Sequence, residues 1–493
     1  MSKPRLVLLA GLLSLVALAG VVWLVPRTHP PRLVIREVPL GTYPDRDAQY
    51  PLVVSPDSRH VAATERGTHR VIVDGKPGPR YDGISEDGPL FSPDSRHVAY
   101  GARRGHRFMI VRDGVESKGY DGIGGLAFSP DSKRLVYAAK RGSKWLMVVD
   151  GAESPLYDAV GERFAVGNQH VAYAARRNGK YRLILDGVES REYDGAGNMV
   201  LSPDGKRLAY VVHTGGKWFS VLDGVRGKEY RAVFRPVFSP DSKHLAYTAF
   251  GAAHRFYVVR DGRESRDYDT GYDPIFSAGS QHLVCRVSRG GKRFMLADGV
   301  ESKPYDKVDP PVFSPDGKRM AYIATRGDRS LVVLDGVEGG EYDREPSFPV
   351  FSSDSRHVAY AARRSGKSFA VVDGSEGRDY QFVNEPHFGP DSSLLAYVAM
   401  AYREPGCFVV LNGTEGRHYD YCIDVSIAFS PDGRHLAYWP RKGRKLGLVV
   451  DGVEGRWYDY IPTGSKLVFD SPSRLHYLAG RGDQVLLVEV EIR

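Results

Sequence analysis

The chain has 493 residues, with 68 Lys and Arg against 60 Asp and Glu and a formal net charge of +8. Three cysteines without a Cys-x-x-Cys spacing exclude a disulfide-framework fold and a cysteine zinc site. With 55 Gly and 29 Tyr the composition is that of a soluble β-rich protein, in which the placement of charge matters more than its modest total.

Lys3 and Arg5 precede residues 6–25, an uncharged apolar run long enough to span a bilayer as a helix. A shorter reading takes residues 6–16 as the core of a signal peptide with Ala17-Leu18-Ala19 as its cleavage site. The run continues past that site, which favours an uncleaved anchor. Residues 1–30 are therefore expected to anchor the chain to the cytoplasmic membrane, or to be removed on export. Either way residues 31–493 lie outside the cytoplasm, in the periplasm or secreted.

Residues 33–45 (LVIREVPLGTYPD) resemble the tail of a repeat unit without its head, and from about residue 50 one motif recurs. It reads FSPDSRHVAY from Phe91, FSPDSKRLVY from Phe128, LSPDGKRLAY from Leu201, FSPDSKHLAY from Phe238, FSPDGKRMAY from Phe313, FSSDSRHVAY from Phe351 and FSPDGRHLAY from Phe429. Worn copies start at Phe164, Phe276 and Phe388. A fixed period of about 37 residues is the mark of a repeat architecture.

Each unit predicts four short strands. The first stops at Ser-Pro-Asp, a tight turn in which proline presets φ and aspartate bonds its own backbone. The second is Val/Leu-Ala-Tyr. The third is a β-branched run ending at Asp-Gly, as at Asp113-Gly114 or Asp335-Gly336, a strong hairpin signal. The fourth runs through Glu-Ser-Lys-Gly to Tyr120-Asp121. Units of four antiparallel strands repeated in this way predict an all-β fold, a β-propeller of about twelve repeats.

The Ser-Pro-Asp-Gly/Ser-Lys-Arg-Leu-Ala-Tyr core resembles the WD40-like repeat of TolB-type bacterial propellers over roughly residues 50–490. The chain lacks any Trp-Asp dipeptide and has no room for the α/β domain that precedes the propeller in TolB, so TolB's partners are not carried over.

At the C-terminus, residues 467–469, 475–479 and 485–491 supply the first three strands of a unit, which residues 33–45 complete. Joining the two removes open sheet edges. Propeller rings usually have about four to eight blades, so both two propellers and one large closed ring stay open.

Histidine recurs at one repeat position (His60, His97, His170, His244, His282, His357, His435), but Arg134, Arg207 and Arg319 share the slot, which argues against a metal ring. No cofactor or metal is expected. The register tyrosines from Tyr81 to Tyr458 read as packing between units. Catalytic signatures such as Gly-x-Ser-x-Gly or His-Glu-x-x-His are missing.

The strongest functional signal is electrostatic. Loops joining second and third strands are basic: Arg103 and Arg104, Lys140 and Arg141, Arg176 and Arg177, Arg363 and Arg364, Arg441 and Lys442. Repetition gathers them on one face as a candidate anion-binding surface. The expected function is a non-catalytic extracytoplasmic scaffold whose partner is an envelope protein or an anionic polymer; nucleic acid conflicts with export. The alternative is an enzyme acting on carbohydrate or peptide at the propeller centre. Cys407 and Cys422 are expected to form a disulfide if a hairpin centres on Thr414–Glu415, and to miss each other if it centres on Asn412-Gly413. Cys285 is expected as a buried free thiol.

Overall fold

The computed structural model describes residues 30–43, 52–65, 67–402, 406–422 and 427–493. The apolar run at residues 6–25 and Asp45 lie outside the described residues, among which no helix is long and apolar enough to cross a membrane.

The regular structure is β-sheet, apart from a single 3-10 turn at Ala252–His254 among the described residues. Twelve separate antiparallel sheets follow one another along the chain. We number them as blades: 1 (residues 53–77), 2 (83–116), 3 (122–153), 4 (159–189), 5 (195–226), 6 (232–264), 7 (270–301), 8 (307–342), 9 (350–376), 10 (382–415), 11 (421–458) and 12 (468–492 with 33–42).

Alternation along each second strand explains why the blades stack. Tyr100 and Ala102 pack towards blade 1, whereas Ala99 packs towards blade 3. Each sheet is thus buried on both faces, and burial of each large aliphatic or aromatic side chain contributes roughly 1.5–3 kcal/mol. A hydrophobic cluster fills every successive interface, from blades 1 and 2 through blades 11 and 12. A further cluster joins blade 12 to blade 1, through Leu478, Leu487, Val61 and Ala63. The twelve blades therefore form one closed ring and not two propellers. Closure rests on Leu33–Thr42, which pairs antiparallel with Gln484–Ile492 as the fourth strand of blade 12.

First strands of neighbouring blades approach one another, as in blades 3, 4 and 5, and so line the central channel. Fourth strands form the rim, where Val115, Val188, Val225, Val300 and Val337 are exposed. Asp113 (φ 51) and Gly114 (φ 81) both have positive φ, the backbone of the tight hairpin expected at Asp-Gly.

Two expectations need correction. The fourth strand of blade 2 is Val115–Glu116 alone, and Tyr120 returns as an isolated bridge to Phe108. Between them Ser117 Oγ accepts the Ile110 amide at 3.0 Å, taking the place of a ladder carbonyl. Several first strands are split: in blade 8, Lys307–Val308 and Val312–Phe313 both pair with Met320–Arg326. Asp309-Pro310-Pro311 lies between them, and proline has no amide to give to the ladder.

Candidate anion-binding face

The loops between second and third strands share a face with the Tyr-Asp segments. Asp121 accepts the Gly142 amide at 2.6 Å, Asp194 accepts Gly215 at 2.9 Å and Asp306 accepts Gly327 at 2.8 Å. The Ser-Pro-Asp and Asp-Gly turns meet on the other face, where His97 Nδ1 lies 2.7 Å from Asp113 Oδ2 and Asp113 Oδ1 accepts the Val98 amide. Arg207 Nε occupies the same place against Asp223 at 2.9 Å. Both residue types can donate to this carboxylate, which explains their exchange in the repeat.

Four of the ten basic loop residues are committed within the ring. Arg104 pairs with Glu116 at 2.8 Å, and Glu116 also accepts the hydroxyl of Tyr81 in blade 1 at 3.0 Å. The Arg104 guanidinium lies 5.3 Å from the Tyr81 ring centre. The same clasp joins Arg141, Glu153 and Tyr120, and Arg177, Glu189 and Tyr157. Arg364 pairs with Glu376. Glu153 is held below the usual carboxylate range chiefly by its bond from Arg141. Burial pushes the tyrosine hydroxyls upward, so they stay protonated donors.

A second set of cations, at the start of each third strand, pairs with the Tyr-Asp aspartates: Arg107 with Asp121 at 2.7 Å, Lys144 with Asp158, and Lys180 with Asp194 at 2.6 Å. Asp158 and Asp194 are lowered first by these lysines and then by the loop amides. Their oxygens are therefore already occupied.

Six of the ten remain, two of them on blade 11. No described carboxylate lies within ion-pair distance of Arg103, Lys140, Arg176, Arg363, Arg441 or Lys442. Arg103 bonds the carbonyls of Gly105 (3.0 Å) and Asp82 (3.1 Å), Lys140 lies 5.8 Å from the Trp145 ring centre, Arg441 5.1 Å from that of Tyr421 and Lys442 5.9 Å from that of Trp457. The ten candidate residues thus divide into a structural set and an uncommitted set. Arg103, Lys140 and Arg176 fall on consecutive blades 2, 3 and 4.

Lys217 of blade 5 and Arg231 at the entry to blade 6, both exposed, extend this arc. The sequence reading missed them. The signal was Tyr230-Arg231, which breaks the Tyr-Asp pattern and leaves Lys217 without its aspartate. Arg231 Nη1 lies 3.4 Å from His254 Nε2.

The channel wall carries features that repeat analysis averages away. Phe234, Tyr272 and Phe348 are exposed there. Lys307 Nζ bridges Asp309 of blade 8 (3.0 Å) and Glu345 before blade 9 (2.6 Å). Burial, reinforced by the Glu345 charge, raises Asp309.

Cys407 and Cys422 form a disulfide with Cα atoms 5.9 Å apart. The turn nevertheless sits on Asn412-Gly413, since Leu411 pairs with Thr414 and Val410 with Glu415. The expectation that this turn prevents the bond fails because Cys422 lies in the first strand of blade 11, after the chain has passed Tyr419 opposite Cys407. The bond therefore links two blades. Cys285 is free and buried.

No family model matches the chain, and no curated protein matches it. Among solved structures it is similar to the Dos1 propeller, with 12% identity, 57% of this chain and 90% of that one covered, and a TM-score of 0.29. A dihydro-heme d1 dehydrogenase, NirN, gives 13%, 62% and 79% with a TM-score of 0.28. The β-propeller domain of the Trilobed protease from Pyrococcus furiosus gives 15%, 52% and 96% with a TM-score of 0.25. Scores this low bring no function to the chain, whose architecture is read from its own strand pairing.

Proposed function

We propose that the ring is an extracytoplasmic binding scaffold of the TolB-like kind, tethered by its N-terminal segment, whose sector from blade 2 to the entry of blade 6 holds an anionic polymer such as acidic polysaccharide. The observation that carries this reading is the arc of Arg103, Lys140, Arg176, Lys217 and Arg231, which have no carboxylate partner among the described residues while their neighbours are paired. Uncompensated cations on consecutive blades create a field that attracts extended polyanions.

The test is binding to dextran sulfate and to a neutral dextran at several salt concentrations. Screening over about 8 Å at physiological ionic strength makes steep salt dependence the expected result. Reversing Arg103, Lys140, Arg176 and Lys217 to Glu weakens binding with the fold retained, whereas reversing Lys133, Lys206, Lys243 and Lys318, in the Ser-Pro-Asp turns of the other face, matters much less. Equal losses from both sets would reduce the effect to net charge and end the proposal.

A second reading, an enzyme acting on carbohydrate or peptide at the ring centre, is favoured by one observation, the meeting of Asp309 and Glu345 on the channel side. Loss of a hydrolytic activity in Asp309→Asn and in Glu345→Gln, with dextran sulfate binding intact, would select it over the scaffold.

A further inference from the structure

On the Ser-Pro-Asp side, several clefts between blades share a seat for a planar cation, and four of them hold an arginine in it. Between blades 5 and 6, Arg207 lies 5.7 Å from the Phe238 ring centre, donates to Asp223 at 2.9 Å and donates to the Lys243 carbonyl at 3.1 Å. Between blades 8 and 9, Arg319 lies 5.6 Å from Phe351 and donates to Asp335 at 2.9 Å and the Arg356 carbonyl at 2.6 Å.

Between blades 2 and 3, and 6 and 7, the guanidinium arrives from a different sequence position, the end of the third strand. Arg112 lies 5.6 Å from Phe128 and Arg260 5.7 Å from Phe276. Arg260 also stands 3.6 Å from Asp298 of the next blade. Two unrelated positions deliver the same group to the same ring, so the chemistry of the seat selects it. An arginine face stacked on an aromatic ring beside carboxylates is a favourable arrangement that lysine does not reproduce.

Between blades 1 and 2 neither position is arginine: they are His60 and Val73. Here the structure has a cavity of about 740 Å³, walled by Val71, Phe91 and Tyr100. No described His or Arg stacks on Phe91. Asp57, Asp74, Asp94 and Asp113 line it against Lys76, Arg96 and His60, so the lining is acidic when His60 is neutral. His60 already takes Asp74 Oδ2 at 2.7 Å. Asp57 and Asp94 each use Oδ1 for their own turn, bonded by Ser55 and Ser92, and keep Oδ2 for a further donor.

We propose that the cleft between blades 1 and 2 binds a guanidinium-bearing ligand, the arginine side chain of a peptide, stacked on Phe91 and held by Asp57 and Asp94. Titration calorimetry with acetyl-Gly-Arg-Gly-amide tests it on the whole chain. Binding is expected, with the lysine counterpart weaker by about tenfold or more. Val73→Arg plugs the seat from within, as Arg112 does next door, and removes binding while raising the melting temperature. Phe91→Leu keeps an apolar wall but removes the ring and weakens binding, which decides the matter even if the Val73 variant does not fold. No binding at millimolar peptide, equal affinity for lysine, or unchanged affinity in Phe91→Leu would overturn the proposal.

Discussion

Glu37 accepts a hydrogen bond from the Tyr458 hydroxyl at 2.8 Å across 421 positions of sequence. Arg481 (2.9 Å) and Arg456 (3.1 Å) close on the same carboxylate. This is the Tyr-Glu-Arg clasp of the other blades, assembled where the strand at Leu33–Thr42 completes the ring.

Burial opposes the Glu37 charge, but the bonds from Arg481, Tyr458 and Arg456 prevail and hold its pKa at about 2. A depressed folded pKa gives stability that is present above the ordinary carboxylate value and lost as pH falls towards 2. The gap is worth on the order of 3 kcal/mol at neutral pH. Glu37→Gln should lower the melting temperature at pH 7, and the difference from wild type should shrink steadily between pH 4.5 and pH 2. A deficit that does not change with pH would refute this account.

Asp309 has the opposite sign. Burial raises its folded pKa, so ionisation costs stability as pH climbs above the ordinary carboxylate range. The melting temperature of Asp309→Asn, taken relative to wild type, should become more favourable from pH 3 to pH 7. An advantage that declines with pH would mean that the lost bond to Lys307 outweighs the buried charge.

The Cys407–Cys422 bond closes a loop of sequence separation 15. Chain-entropy arguments assign such a loop about 3 kcal/mol. Reduction, or the double serine variant, should lower thermal stability, and limited proteolysis should then cut first near the junction of blades 10 and 11. Identical melting with and without reductant would contradict it.

Burial pushes the Cys285 thiol up to about 12, so iodoacetamide at pH 8 should label it only at the rate of unfolding. Cys285 stands where other blades have tyrosine and borders a cavity of about 220 Å³ that also reaches Ser265. Cys285→Tyr should fill that space and raise the melting temperature by a few degrees. Rapid labelling of the folded protein, or a destabilised tyrosine variant, would count against this packing.

The blade count, the Asp-Gly hairpins and the pairing of residues 33–42 with the C-terminal strand were legible because each depends on local turn chemistry or strand pattern repeated many times. The single ring was not, since whether twelve blades share one ring or divide between two depends on the wedge between sheets, which no residue encodes alone. Arg104 and Glu116 read as unrelated charges in sequence; only the fold of the second to fourth strands, and Tyr81 from the preceding blade, brings them together. The split in the blade 8 first strand was signalled by Pro310 and Pro311, yet the repeat template concealed it. The disulfide was read from a hairpin within one unit, whereas its geometry belongs to the junction of two.

Pairing of Leu33–Thr42 with Gln484–Ile492 imposes an order on biogenesis. Blades 1 to 11 draw their strands from contiguous sequence and can form as the chain emerges, at about 5–20 residues per second. The strand that emerges before them all has no partner until the last. For most of synthesis it is an unpaired edge carrying Val34, Ile35 and Val38, a target for capture by other nascent chains. A chaperone that shields this segment would govern the yield of closed rings more strongly than the stability of any blade.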